Sequence, residues 1–440
     1  MENDKRRDIT TVQRAKGIQQ MLDAGVSVTK VAKALAIHKH TVKAAAAAGK
    51  SQAAMEALSA DQLSLTEAAA LAEFDDMPGA LDRLVRDAGT QRFDHTVAQL
   101  REQQASVKAQ REAEKPWQDK GFTILDSFPR SWDVEHVELS YLRTAAGEEA
   151  DETAVTNPAH WAVLLTEESG WVDAGTGDPV EEDAVDWDTE DDPEAVPAEG
   201  LRHANTVTEA TMFVPEYFCL DYAAAGLTLC ERFQRFAGLS HATSDGSTET
   251  ADVDTEDEDA KAAREAAAAQ AKLDAERRER RKVIALNKLG EAALQVRRDF
   301  VTKLLTRKTP PKGAAMFVAD CLARDTGLLS DNQAQDTTAA LLGLDNGQAV
   351  AKLVADLAAN GDGRAQVITL ALVLGALEAR TPKDAWRGSG NYWGRHVGGA
   401  DYLRWLADND YQLAAIEEVV TKANSADEVY DDYLAEAAQQ

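Results

Sequence analysis

Five side chains within six residues, His38, Lys39, His40, Thr41 and Lys43, are hydrogen-bond donors suited to base edges. Lysine and histidine donate to guanine O6 and N7, and a threonine hydroxyl serves either base type. Three neighbouring lysines, Lys30, Lys33 and Lys50, suit phosphate oxygens, which position a protein on duplex DNA without reporting its sequence. Taken singly, His38 and His40 are equally well explained as exposed polar residues. The set gains meaning only if one element presents it together.

The spacing predicts such an element, a helix-turn-helix over residues 28–47. With Val28 as its first position, apolar residues are needed at positions 4, 8, 10, 15 and 18, and a small residue at position 5, where the helices cross. The sequence supplies Val31, Leu35, Ile37, Val42 and Ala45, with Ala32 at the crossing. The turn falls on Ala36, at a cost of about 1 kcal/mol if that residue takes positive φ. The second helix then offers His38, Lys39, His40, Thr41 and Lys43 from the turns that enter a major groove.

The formal net charge of the 440-residue chain, −29, would repel a phosphate backbone if it were spread evenly. It is not: the first fifty residues hold ten Lys and Arg against four acids. Phosphates feel charges within a Debye length of roughly 8 Å, so the local excess is what counts. Three scattered cysteines, Cys219, Cys230 and Cys321, make no disulfide framework. No window reaches the roughly 18 apolar residues of a membrane span, and the first ten residues lack the apolar run of a secretory signal. These features together predict a cytoplasmic protein with no membrane partner.

The fold expected is mainly α, in several domains. Alanine-rich helical spacing over residues 1–114, with Gly25, Gly49 and Gly89 where helices stop, predicts a helical DNA-binding domain. Its last helix, from Phe93 to Glu114, is polar nearly all round and is expected to be exposed and to end before Pro116. Residues 117–238 turn to Val, Thr and aromatics, giving a small α+β domain with short strands at Phe122 to Leu125, Val134 to Leu139, Trp161 to Leu165 and Trp171 to Val172. Ten acids and no base between Glu181 and Glu199 predict a solvated loop. Residues 239–259 read as an acidic linker, 260–308 as a long charged helix, and 312–440 as a helical C-terminal domain with a buried helix from Val367 to Leu377. Leu273, Ile284, Leu289, Val296, Phe300 and Leu304 form a rough apolar stripe on the long helix, for homodimerisation or for packing on the chain's own C-terminal domain.

The order of motifs in residues 2–114 resembles the ParB family of partition proteins, including its RepB-like members. Glu2-Asn3-Asp4-Lys5-Arg6 matches that family's Glu-Asn-x-x-Arg box, and a helix from about Thr11 to Ala24, the helix-turn-helix, and the run from Leu63 to Leu71 follow in the family's order. The resemblance implies centromere-type duplex DNA as partner, a partition ATPase as a second partner, and nucleoid or plasmid association. It also implies CTP and magnesium, with Glu2, Asn3 and Arg6 as nucleotide residues, although the Arg-rich phosphate box that precedes them in the family is not in this sequence. CTPase activity is therefore expected only if those motifs are supplied, and no enzyme is expected otherwise. This chain has His38-Lys39 where the family usually has Ser-Arg, and Glu67-Ala68-Ala69 in place of a His-Ala-Arg signature, so the DNA sequence preferred would differ. The same helix-turn-helix would equally serve a plasmid or phage transcriptional regulator.

Other chemistry is set aside. The glycine-rich run from Gly388 to Gly394 lacks the Lys-Ser/Thr ending of a phosphate loop, and Asn360 to Gly363 lacks the alternating acids of a calcium loop. His203, Cys219, Asp221 and Cys230 match no zinc spacing, and no catalytic or metal residues are assigned.

Overall fold

In the computed structural model, which describes residues 9–130, 132–190, 192, 194–237, 239, 253–330, 333–388 and 397–437, the chain is mainly helical, with a small sheet in the middle and helices at both ends. It divides into two units, Met1–Gln104 together with Ala285–Gln440, and Ala105–Ile284. Among the described residues no helix is long and apolar enough to cross a membrane.

The first unit begins with α1 (Thr11–Asp23), α2 (Val28–Leu35), α3 (Lys39–Ala48), α4 (Gln52–Ser59), α5 (Leu65–Leu71), α6 (Ala80–Asp87) and the start of α7 (Arg92–Asp119). Local chemistry starts these helices: Thr10 and Gln13 close a capping box on α1, Ser64 and Glu67 close another on α5, and the Ser51 side chain accepts from the Ala54 N–H at the head of α4. Gly25 follows α1 at φ 81°, a left-handed conformation that only glycine adopts without strain. Ile18, Val31, Val42, Leu58, Leu71, Phe74, Leu84 and Leu100 are buried in one core, each large side chain contributing about 1.5–3 kcal/mol. Alanines fill the closest approaches, with Ala45, Ala48 and Ala68 fully buried.

Two expectations for α7 fail. Phe93, His95, Thr96, Val97 and Leu100 are buried, so its first turns belong to the core instead of bridging solvent. The helix also runs through Pro116 to Asp119. Proline removes one intrahelical bond there, but Trp117, one residue on, packs its ring against Phe122 and Tyr217 at 5.4 and 5.8 Å and holds the last turn in place.

The second unit carries strands β1 (Thr123–Ile124), β2 (Val137–Glu138), β3 (Leu142–Arg143), β4 (Trp161–Asp173), β5 (Pro179–Val180), β6 (Val185–Asp186), β7 (Arg202–His203), β8 (Val207–Cys219) and β9 (Thr228–Leu229), then α8 (Glu231–Phe236). The main sheet has the order β1-β4-β8-β2, with β5 on the far end of β4. The two short strands expected at Trp161 and Trp171 are one antiparallel partner of β8, in register from Trp161↔Cys219 to Asp173↔Val207. Pro215 is tolerated inside β8 because β2 pairs only with Phe218 and Cys219, leaving no second ladder at Pro215 for its missing N–H to break. The acidic stretch is more than a solvated loop: Val185 and Thr189 are buried, and Trp171 and Trp187 pack at 4.5 Å between ring centres.

A 53-residue helix, α9 (Val253–Leu305), runs from the second unit into the first. The first unit is completed by α10 (Ala314–Arg324), α11 (Ala334–Leu341), α12 (Gly347–Ala355), α13 (Asp362–Ala379), α14 (Gly399–Ala407), α15 (Ala415–Val420) and α16 (Ala426–Ala437). The helix expected from Val367 to Leu377 is the middle of α13, buried on nearly every side. The apolar stripe of α9 packs, from Leu289 onward, on the chain's own C-terminal helices, with Val296, Phe300 and Leu304 against the α13 core.

Candidate functional site

The residues singled out for nucleic acid sit on α2, α3 and the three-residue connection between them. Ala36 takes the left-handed conformation that its place in the turn demands, φ 52° and ψ 42°. Val31, Ala32, Val42 and Ala45 are buried and Ile37 is partly buried, all in the core of the N-terminal helices. Leu35 departs from the pattern. It stands at the last turn of α2 with 40% of its surface exposed, so position 8 of the pattern is not part of the core.

His38 is the residue before α3, with extended backbone at φ −67° and ψ 146°. Lys39, His40 and Lys43 are exposed and Thr41 is half-buried; Lys30, Lys33 and Lys50 are exposed as well. Among the described residues, none of these five lysines has a carboxylate within ion-pair distance. Seven Lys and Arg stand against two acids between Ile9 and Ser59, so the local excess of positive charge lies on folded helices.

Glu2, Asn3 and Arg6 lie outside the described residues, as do most of the linker at 239–259 and the run after Gly388. Asn360 to Gly363 forms the turn into α13, with Gly361 at its head. Cys219 is buried in the sheet core, where burial pushes its thiol up to about 11. Among the described residues one trio, Asp133, Glu135 and His136, is close enough to share an ion, and its His136 Nδ1 already lies 3.2 Å from Asp133 Oδ2.

Sequence reasoning missed a cavity of about 750 Å³ in the first unit, walled by α3, α5, α7, α9 and Tyr411. His40, Lys43, Ala44 and Ala47 bring one face of α3 to it. From α7 come Phe93, Asp94, His95 and Arg101, and from α9 come Asp299, Phe300 and Lys303. The imidazole of His95 is buried, donates from Nε2 to the Gln412 carbonyl at 2.9 Å, and meets Tyr411 edge-on at 5.7 Å. Among the described residues its Nδ1 has no hydrogen-bond partner.

Three charged groups on this wall, Glu67, Glu73 and Arg101, are committed. Burial alone would raise the Glu67 carboxyl, but the N–H groups of Gly89 and Ser64, both at 2.7 Å, hold it below the usual range. Glu73 receives Arg101 through two bonds at 2.8 and 2.9 Å, and these outweigh burial and raise the guanidinium above its ordinary value, with Asp299 and Asp94 adding to the effect. The only sequence sign of the cavity is Phe93 and His95 at the head of a helix otherwise polar.

Comparison with family models, with curated proteins and with solved structures gives no match for this chain.

Proposed function

We propose that this protein binds duplex DNA sequence-specifically, with α2 and α3 as the two halves of a helix-turn-helix. One observation supports this above the others: the head of α3 exposes Lys39 and His40, beside half-buried Thr41, on a helix pair locked by Ala32, Val42 and Ala45. An α-helix fits a major groove about 12 Å wide, so the first turn of α3 would enter it while Lys30 and Lys33 on α2 meet phosphates across the backbone. His38, Lys39, His40, Thr41 and Lys43 would meet base edges, and Lys50, beyond α3, a further phosphate.

Within this reading, partition of a plasmid or chromosome is the role suggested by the motif order in residues 2–114, with a homodimer on DNA and a partition ATPase as partner. A ligand-controlled transcriptional regulator is a second reading, favoured by one observation: His40 and Lys43 belong both to the proposed DNA face and to the wall of a cavity. CTP would enter only through residues that resemblance, not geometry, assigns.

Selection of bound duplexes from a random pool, with full-length protein at about 100 mM salt, tests the proposal. A shared sequence enriched over rounds is expected; an unenriched pool contradicts sequence-specific binding.

A further inference from the structure

The cavity beside α3 has a chemical preference of its own. Four carboxylates line it, but Glu67 is held by backbone N–H groups, Glu73 is paired with Arg101, and Asp94 and Asp299 stand in the field of that same guanidinium. The cations Lys43 on α3 and Lys303 on α9 have no carboxylate within ion-pair distance among the described residues, and His40 stands with them. The wall between is aromatic: Phe93 and Tyr411 are buried, and Phe300 lies 5.0 Å from Tyr411, ring centre to ring centre. A volume of about 750 Å³ is within the range of small-molecule sites, roughly 300–1,000 Å³, which pair apolar walls with a few placed polar groups.

We infer that this cavity binds an aromatic carboxylate, its ring against Phe93 and Phe300 and its anionic group met by Lys43 and Lys303. Among the described residues neither lysine gives up an ion pair in taking the carboxylate. The site stands without the DNA reading, but its consequence for DNA rests on that reading: a ligand that engages Lys43 removes a donor from the proposed base-contacting helix and competes with DNA.

The test uses full-length protein, with 1-naphthoate as probe and 1-naphthamide as its neutral isostere, by calorimetry. Naphthoate is expected to bind about tenfold or more tightly than naphthamide, because hydrogen bonds to charged groups are the stronger class. Lys303→Ala should weaken naphthoate by about tenfold and leave naphthamide unchanged, Lys303→Arg should restore naphthoate, and Ala98→Trp, which fills the cavity from α7, should abolish both. Equal affinities for the two probes, or naphthoate binding indifferent to Lys303→Ala and Ala98→Trp, overturns the site. In a parallel arm, naphthoate at its wild-type dissociation constant should weaken duplex DNA binding by wild type about twofold and leave that by Lys303→Ala nearly unchanged. DNA binding unmoved by bound naphthoate breaks the link to α3, whereas naphthoate binding by a chain that binds no DNA leaves the site and removes the DNA reading.

Discussion

Arg297 on α9 and Glu378 on α13 meet side-on inside the first unit, Nε to Oε2 at 2.7 Å and Nη2 to Oε1 at 3.0 Å, with both side chains at most 3% exposed. The rest of the guanidinium is engaged too: Nη1 donates to Glu417 at 2.8 Å and Nη2 also donates to the Thr381 carbonyl at 2.7 Å. Tyr402 donates to Glu378 at 2.9 Å, and Arg298, closer to water, brings a second positive charge at 3.1 Å. The pair therefore ties the long helix to the buried helix behind it through a network with no spare charge.

Removing one partner strands the other. Glu378→Ala is expected to destabilise the first unit by about 3–5 kcal/mol, because it leaves Arg297 buried and short of an anion. Urea unfolding followed by far-UV circular dichroism measures this, and a loss below about 1 kcal/mol would mean that water reaches the site.

The same pair sets an acid limit. Burial would raise the Glu378 carboxyl, but Arg297 and the hydroxyl of Tyr402 hold it below its ordinary value of 4.5. A carboxyl depressed in the folded state gives stability that is complete above the unfolded value and lost as pH falls through the folded one. The unfolding midpoint should therefore be nearly level above pH 4.5 as far as this group is concerned, and fall below it. Glu378→Gln should show a shallower fall over the same interval.

Gly290 faces the backbone of Lys383, and a Cβ there would clash with the Lys383 carbonyl oxygen. Backbone cannot swing aside as a side chain does. Gly290→Ala should cost about 1–3 kcal/mol or more despite alanine's better helix propensity, measured by the shift in urea midpoint.

Cys219 and Cys321 are 0% exposed, and burial pushes both thiols up to about 11, whereas Cys230 is half-buried at the head of α8. At pH 8 the buried pair would be thiolate in roughly a thousandth of molecules. Iodoacetamide should label Cys230 first in the native chain, and all three sites alike in urea, as read by peptide mass mapping.

Local features were legible where chemistry is local. The change from alanine to Val, Thr and aromatics after Trp117 marked the sheet between helical ends, and the turn position of Ala36 foretold its positive φ. What sequence concealed was assembled over distance. Arg297, Glu378 and Glu417 stand far apart in the sequence, and only the packing of three helices brings them together. The cavity joins Lys43 to Lys303 and Tyr411, and no window of sequence contains that neighbourhood. Val185 and Trp187 were hidden by the ten acids around them, and β8 by Pro215, whose cost vanishes only because its other edge is unpaired there. Leu35 shows the converse limit: a residue can satisfy a spacing rule and still face water.

Sequence-specific binding as proposed needs some of these side chains on bases and others on phosphates. In the proposed function Lys39 and Thr41, on the first turn of α3, meet base edges, where each contact is worth roughly 1–3 kcal/mol of discrimination, whereas Lys30, on α2, meets phosphate. The decisive measurement is the affinity of wild type, Lys39→Ala, Thr41→Ala and Lys30→Ala for the selected duplex and for random duplex, side by side across a salt series. Lys39→Ala and Thr41→Ala should lose roughly tenfold on the selected site and little on random DNA, while Lys30→Ala should weaken both alike and lower the salt slope by about one. Equal losses for Lys39→Ala on the two duplexes would contradict base contact by α3, and with it the proposed function.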